Sequence, residues 1–192
     1  MPGVFHPGFF YSTKFLLKHL ETKNLKAKSL LELGCGTGLI SVYAALTGAK
    51  VTALDISPTA VENTKRNAST NKVAIVVVES DLFDRIDGRF DIIIINPPYY
   101  NRDPRSESEH AWYTGDDHRY FRKLFFQLPA HTHEATETWM VLTKGCDLEA
   151  IHAIAAENDI SLELLKEKRM MFDERDYLYR LRPANSSFQR PA

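Results

Sequence analysis

Asn96-Pro97-Pro98-Tyr99 carries the most specific chemistry in this chain of 192 residues. Two successive prolines fix φ twice and remove two backbone donors. Asn96, standing before a proline, is pushed to an extended conformation. The Asn96 side-chain oxygen and the Pro97 carbonyl can then accept two hydrogen bonds from one planar –NH₂ group. Tyr99 offers a flat face for that group to stack on, and Pro98 lies beside it. Asn96, Pro97 and Tyr99 are therefore the candidate catalytic residues, and Pro98 and Tyr99 candidate substrate contacts. The loop suits an amide or an exocyclic amine. The plainer alternative is a rigid turn leaving a strand.

A second loop lies upstream, in Leu30-Leu31-Glu32-Leu33-Gly34-Cys35-Gly36-Thr37-Gly38. Its alternating glycines allow positive φ and close approach of backbone to a ligand. The helix that follows turns its N-terminal amides toward the same crevice. The dinucleotide fingerprint G-x-G-x-x-G is not met, because the sixth place falls on Leu39 from Gly34 and on Ser41 from Gly36. A loop for a nucleoside-bearing cofactor remains, or a tight strand-to-helix turn. Asp55 ends the next strand, where an acid can accept both hydroxyls of a ribose. Asp81 follows the third strand and could accept from an adenine amino group. With their neighbours Glu32, Cys35, Ile56 and Leu82, and with Asn96 itself, these form the expected cofactor-lining set.

The order Glu-x-Gly-x-Gly-x-Gly, Asp55, Asp81, Asn-Pro-Pro-Tyr resembles the class I S-adenosylmethionine-dependent methyltransferases that act on planar nitrogen. Within them the chain is most similar to the HemK-type release factor glutamine methyltransferases, over roughly residues 4–147. The resemblance implies a Rossmann-like fold, S-adenosyl-L-methionine as cofactor, and a role for Thr13 in lining it. It implies a substrate contact at Trp112, where Ala111-Trp112 with Gly115 matches a family segment; Thr114 and His118 stand where that family often has glycine. It also implies that a small activator subunit is possible. The acceptor expected is a glutamine in a protein, N5-methylated as in the Gly-Gly-Gln motif of a release factor. Adenine N6 of RNA or DNA is the alternative, since it too is a planar –NH₂. A non-catalytic cofactor-binding module is the third reading.

The elements that must position these residues are legible from apolar runs and their punctuation. Buried parallel strands read as unbroken apolar runs, here at 29–33, 50–54, 73–78, 90–95 and 138–143. Helices are expected at 14–21, 39–47, 58–69, 119–128 and 148–157. Ser57 suits the N-cap and Pro58 the first helical position of the third of these. Alternation of strand and helix argues a single-domain, mostly parallel seven-stranded α/β sheet with helices on both faces. Segments 160–166 and 176–181 read as the closing pair, giving an antiparallel last strand. Residues 1–28 form the N-terminal arm and helix, 29–182 the methyltransferase core, and 183–192 a disordered tail. Val4 to Thr13 reads as an aromatic packing arm or lid, and 100–115 as a long irregular substrate-side stretch.

The composition is ordinary for a globular protein, with 44% hydrophobic and 26% charged residues. The start of the chain lacks the basic and apolar regions of a signal peptide. Cys35 and Cys146 make no disulfide framework, so a reduced, cytoplasmic protein is expected. The net charge of −1 creates no global attraction for nucleic acid. His131 and His133 read as helix-end residues rather than as a metal pair.

Overall fold

The computed structural model describes residues 7–103, 105, 113–169 and 175–184, with side chains from residue 11 onward. In chain order the elements are α1 (Pro7–Leu20), β1 (Ser29–Leu33), α2 (Leu39–Leu46), β2 (Lys50–Asp55), α3 (Pro58–Thr70), β3 (Ile75–Glu79), β4 (Ile92–Ile95), α4 (Arg119–Gln127), β5 (Glu137–Thr143), α5 (Leu148–Glu157), β6 (Ile160–Arg169) and β7 (Arg175–Pro183). The seven strands form one sheet in the order β3-β2-β1-β4-β5-β7-β6. β7 runs antiparallel to both its neighbours, and every other pairing is parallel. The expected closing pair is present, with β7 slotted between β5 and β6.

Successive strand residues point to opposite faces, and each central strand therefore feeds two cores. Leu31, Leu33, Ile93, Ile95 and Met140 meet Phe121, Leu124 and Phe125 of α4 and Ile151 and Ile154 of α5 on one face. Leu30, Ile92, Ile94, Trp139 and Val141 meet Phe15, Leu16 and Leu20 of α1 and Ile40 and Ala44 of α2 on the other. Burial on both faces explains why β1 and β4 read as continuous apolar runs rather than alternating ones.

The register matters most for function. Leu33 pairs with Leu54 on one side and with Ile95 on the other. The next residue of each strand is Gly34, Asp55 and Asn96, which stand level along one edge of the sheet. The two motifs are brought side by side by strand pairing alone.

Several boundaries differ from the sequence reading. Helix α1 starts at Pro7 rather than at residue 14, so most of the expected aromatic arm is helical; proline fits a first helical turn. β3 begins at Ile75, and β4 at Ile92. The amide of Phe90 donates to His131 O (3.1 Å) instead of joining the ladder. α4 gives way to a 3₁₀ turn, Leu128–His131, where Pro129 removes a helix donor. β6 runs to Arg169, with a register shift between Leu164 and Lys166. Pro183 is paired in β7 with Ile160, so the tail cannot begin there; residues 185–192 lie outside the described residues, as do His6 and Trp112. His131 stacks on Phe83 with ring centroids 4.3 Å apart, and no metal-binding group forms among the described residues. No described helix is long and apolar enough to cross a membrane.

Phe121 is fully buried where α4 meets the sheet. Phe121→Ala is expected to cost about 3–5 kcal/mol of stability through lost burial and the cavity left behind. Urea denaturation of the variant against the parent measures this.

Candidate active site

The glycine loop is held by its neighbours rather than by its own side chains. The amides of Gly34 and Cys35 both donate to Leu54 O (2.9 Å each), and the Gly36 amide donates to Asp55 Oδ2 (2.8 Å). Asp55 Oδ1 accepts from the Ser57 amide (2.9 Å) as α3 begins. One carboxylate thus ties two loops together at the end of β2. Each of its oxygens keeps a lone pair for an incoming hydroxyl. Burial pushes its carboxyl up from the usual range, opposed by these amide bonds.

Gly36 has positive φ (54°), and a Cβ there would meet nothing within 4 Å, so the backbone borders open space. Gly38 is different. Its φ is 73°, and a Cβ would lie 2.7 Å from Thr64 Cγ2, so only glycine lets α3 pack this close. Thr64 Oγ1 donates to Gly36 O and meets Cys35 Sγ (3.3 Å each). Cys35 is buried, and burial pushes its thiol up, which makes it inert. Ile56 is 41% exposed beside Asp55, an apolar surface suited to a planar base. Leu82 is buried with φ 53°. An acid, an open glycine backbone and an exposed apolar residue at adjoining strand ends fit a nucleoside.

One expected cofactor residue is placed otherwise. Glu32 is buried and does not open onto the crevice. Its Oε2 accepts from the Ser41 hydroxyl and, at 2.9 Å, from the Ser41 amide in the first turn of α2. It anchors the helix that follows the glycine loop. Asp81 is exposed and bonded to Lys123 Nζ (2.6 Å), which also reaches Asp84 (2.7 Å).

The Asn-Pro-Pro-Tyr loop departs further from its reading. Tyr99 is only 7% exposed, so it presents no open stacking face. Its hydroxyl bonds Ser12 Oγ (2.8 Å) and Asn96 Oδ1 (2.9 Å). A phenol has one proton and an amide oxygen only accepts, so the Ser12 hydroxyl is the donor in the other bond. Asn96 Nδ2 reaches Thr13 Oγ1 at 3.5 Å. Helix α1 therefore sets the rotation of the Asn96 amide. One lone pair of Oδ1 is left for a further donor, and no described residue donates to the Pro97 carbonyl. Pro97 is buried and Pro98 half-buried. Sequence reasoning missed Ser12, Ser41 and Thr64; hydroxyls carry no motif, and only packing shows what they touch.

Burial holds the Glu32 carboxyl up at about 8, against an ordinary value of 4.5, with the Ser41 bonds opposing. A carboxyl raised on folding contributes stability fully present below 4.5 and lost as pH rises through about 8. Burial holds the His19 imidazole down at about 4, so its contribution rises with pH up to 6.5 and offsets the Glu32 loss there. Denaturation midpoints are therefore expected to fall mainly between 6.5 and about 8, and Glu32→Gln is expected to remove that fall.

Comparisons with known proteins agree with this geometry. The family model described as the methyltransferase small domain matches residues 1–112. A candidate protein N5-glutamine methyltransferase of Methanocaldococcus jannaschii is 46% identical over 109 residues, which is 56% of this chain and 52% of that protein. A ribosomal RNA small subunit methyltransferase C of Alcanivorax borkumensis is 30% identical over 145 residues, covering 74% of this chain and 41% of its own length. The chain thus spans about half the length of the curated relatives it matches. Among solved structures, the E. cuniculi Mtq2–Trm112 complex responsible for methylating a translation termination factor aligns with TM-score 0.67 and 20% identity, covering 92% of this chain and 96% of that one. The fold, the order of the loops and the matched family model agree, and this chain belongs to the methyltransferase small-domain family.

Proposed function

We propose that the protein is an S-adenosylmethionine-dependent N-methyltransferase whose acceptor is a planar amide, the side chain of a protein glutamine. The observation that carries the reading is the Asn96 amide, fixed by Tyr99 and level with Gly34 and Asp55. Gly34, Gly36, Asp55 and Ile56 would hold the cofactor, which supplies a methyl group on a sulfonium. An amide nitrogen is a weak nucleophile because its lone pair is delocalised into the carbonyl. Asn96 Oδ1 and the Pro97 carbonyl take its two hydrogens and leave the lone pair turned toward the methyl carbon. Positioning of this kind is worth up to ~7–11 kcal/mol of a barrier. No residue need remove a proton beforehand, since the nitrogen sheds it after the new bond forms.

Local charge supports a protein acceptor over RNA or DNA. The cations that could build a phosphate-binding patch beside the loop are engaged. Arg119 is paired with Asp103, and Arg122 with Asp117 (3.1 Å) and Glu157 (3.0 Å). Arg102 lies over the Tyr113 ring, 4.0 Å from its centroid. Phosphate contacts supply much of nucleic-acid affinity, and neutralised arginines make few. The candidate N5-glutamine relative points the same way. Two buried free cysteines suit a reducing, cytoplasmic setting. A small partner chain, such as the solved complex contains, has a face to cover here. β3 is an edge strand with Val76 61% exposed, beside an open, mostly apolar cleft of about 710 Å³.

The deciding test offers labelled cofactor with a purified release factor, RNA and DNA, followed by mass spectrometry of the modified residue. Methyl-glutamine is expected; methyl-adenine alone would overturn the acceptor. Asn96→Ala is expected to lower transfer at least a hundredfold while leaving cofactor affinity nearly unchanged. Tyr99→Phe frees the amide to rotate and is expected to lower kcat about tenfold, the worth of one well-placed hydrogen bond. A proportional loss of cofactor affinity in either variant would make the loop a cofactor site instead.

A further inference from the structure

Tyr120 and Lys123 stand three residues apart on α4 and so share one helix face. That face looks onto the carboxyl ends of β2 and β3, where Lys123 bonds Asp81. The Tyr120 ring meets Phe121 edge-on, with centroids 5.3 Å apart and planes at 83°. Its backbone amide donates to Thr114 O (2.8 Å). The ring is also packed against the core cluster that α4 and α5 form on this face of the sheet. The hydroxyl bonds no described residue and is not sealed from solvent. Burial, together with the Asp55 and Asp81 carboxylates, pushes this hydroxyl above the ordinary phenol range. It therefore keeps its proton and stands near both strand-end acids as a donor.

We propose that Tyr120 is a positioning residue for the nucleoside end of the cofactor, its hydroxyl donating to an acceptor atom of the adenosine group. The proposal rests on the cofactor assignment and is independent of the methyl acceptor. Adenosine presents both kinds of group. Its ribose hydroxyls and amine donate, which suits Asp55 and Asp81, whereas its ring nitrogens and ribose oxygens accept. Carboxylates cannot satisfy those acceptors, but a tyrosine hydroxyl can. Lys123 holds Asp81 from the same helix face, so the helix and the end of β3 are joined at this wall.

The test is calorimetric titration of the parent and of Tyr120→Phe with S-adenosylhomocysteine and, separately, with adenosine. Tyr120→Phe keeps the ring and its packing. Both ligands are expected to bind about fivefold more weakly, the worth of one hydrogen bond. The thermal midpoint of the unliganded protein is expected to stay where it was, which a merely structural role would not allow. Equal binding by parent and variant would overturn the proposal. A loss confined to S-adenosylhomocysteine, with adenosine unaffected, would also overturn it, because the contact would then lie at the amino-acid end. No binding of either ligand by the parent protein would overturn the cofactor assignment, and this proposal with it.

Discussion

The Asp55 carboxylate is the constraint on which the site depends. It stands at the end of β2 and accepts from the Gly36 amide on one side and the Ser57 amide on the other. A glycine-rich loop has no side chains to stiffen it and loses more conformational entropy on ordering than any other loop. Bonds from outside must therefore hold it. Leu54 O, Asp55 Oδ2 and Thr64 supply them from β2 and α3, and Glu32 anchors the start of α2 behind the loop. Asp55 is partly desolvated to do this. The same desolvation strengthens whatever hydrogen bonds its remaining lone pairs accept.

The second loop is stiffened by a different device. Two prolines restrict its backbone, but backbone restriction does not orient an amide side chain about its last torsion, which is broad and roughly two-fold. The relay Ser12–Tyr99–Asn96 does that, and its far end lies on α1, more than eighty residues upstream. Helix α1 also closes one of the two cores through Phe15, Leu16 and Leu20. Stability and the setting of the Asn96 amide are therefore joined in one element. Asn96 cannot be held as an acceptor toward the crevice unless α1 is docked.

Charge on the substrate side follows the same economy. Arg119, Arg122 and Lys123 each meet carboxylates from other segments. These exposed pairs add little stability.

The sequence by itself determined the strands, their alternation with helices, the parallel sheet with its closing antiparallel strand, and the two loops that carry the chemistry. Apolar runs, glycine and proline report on backbone and solvent, which are local matters. Gly34, Gly36, Asp55 and Asn96 were legible for that reason. Only the tertiary structure decided what the side chains around them do. It turned Tyr99 from a stacking face into the lock on Asn96, moved Glu32 from the cofactor's surroundings to an anchor on Ser41, and set Lys123 against Asp81. It also brought Ser12 and Thr64 to the two loops. A hydroxyl or a tyrosine has no distinctive spacing, and its role is fixed by partners distant in the chain. Those partners meet only when pairing of β1 with β2 and β4 sets the strand ends level and the helices close over them.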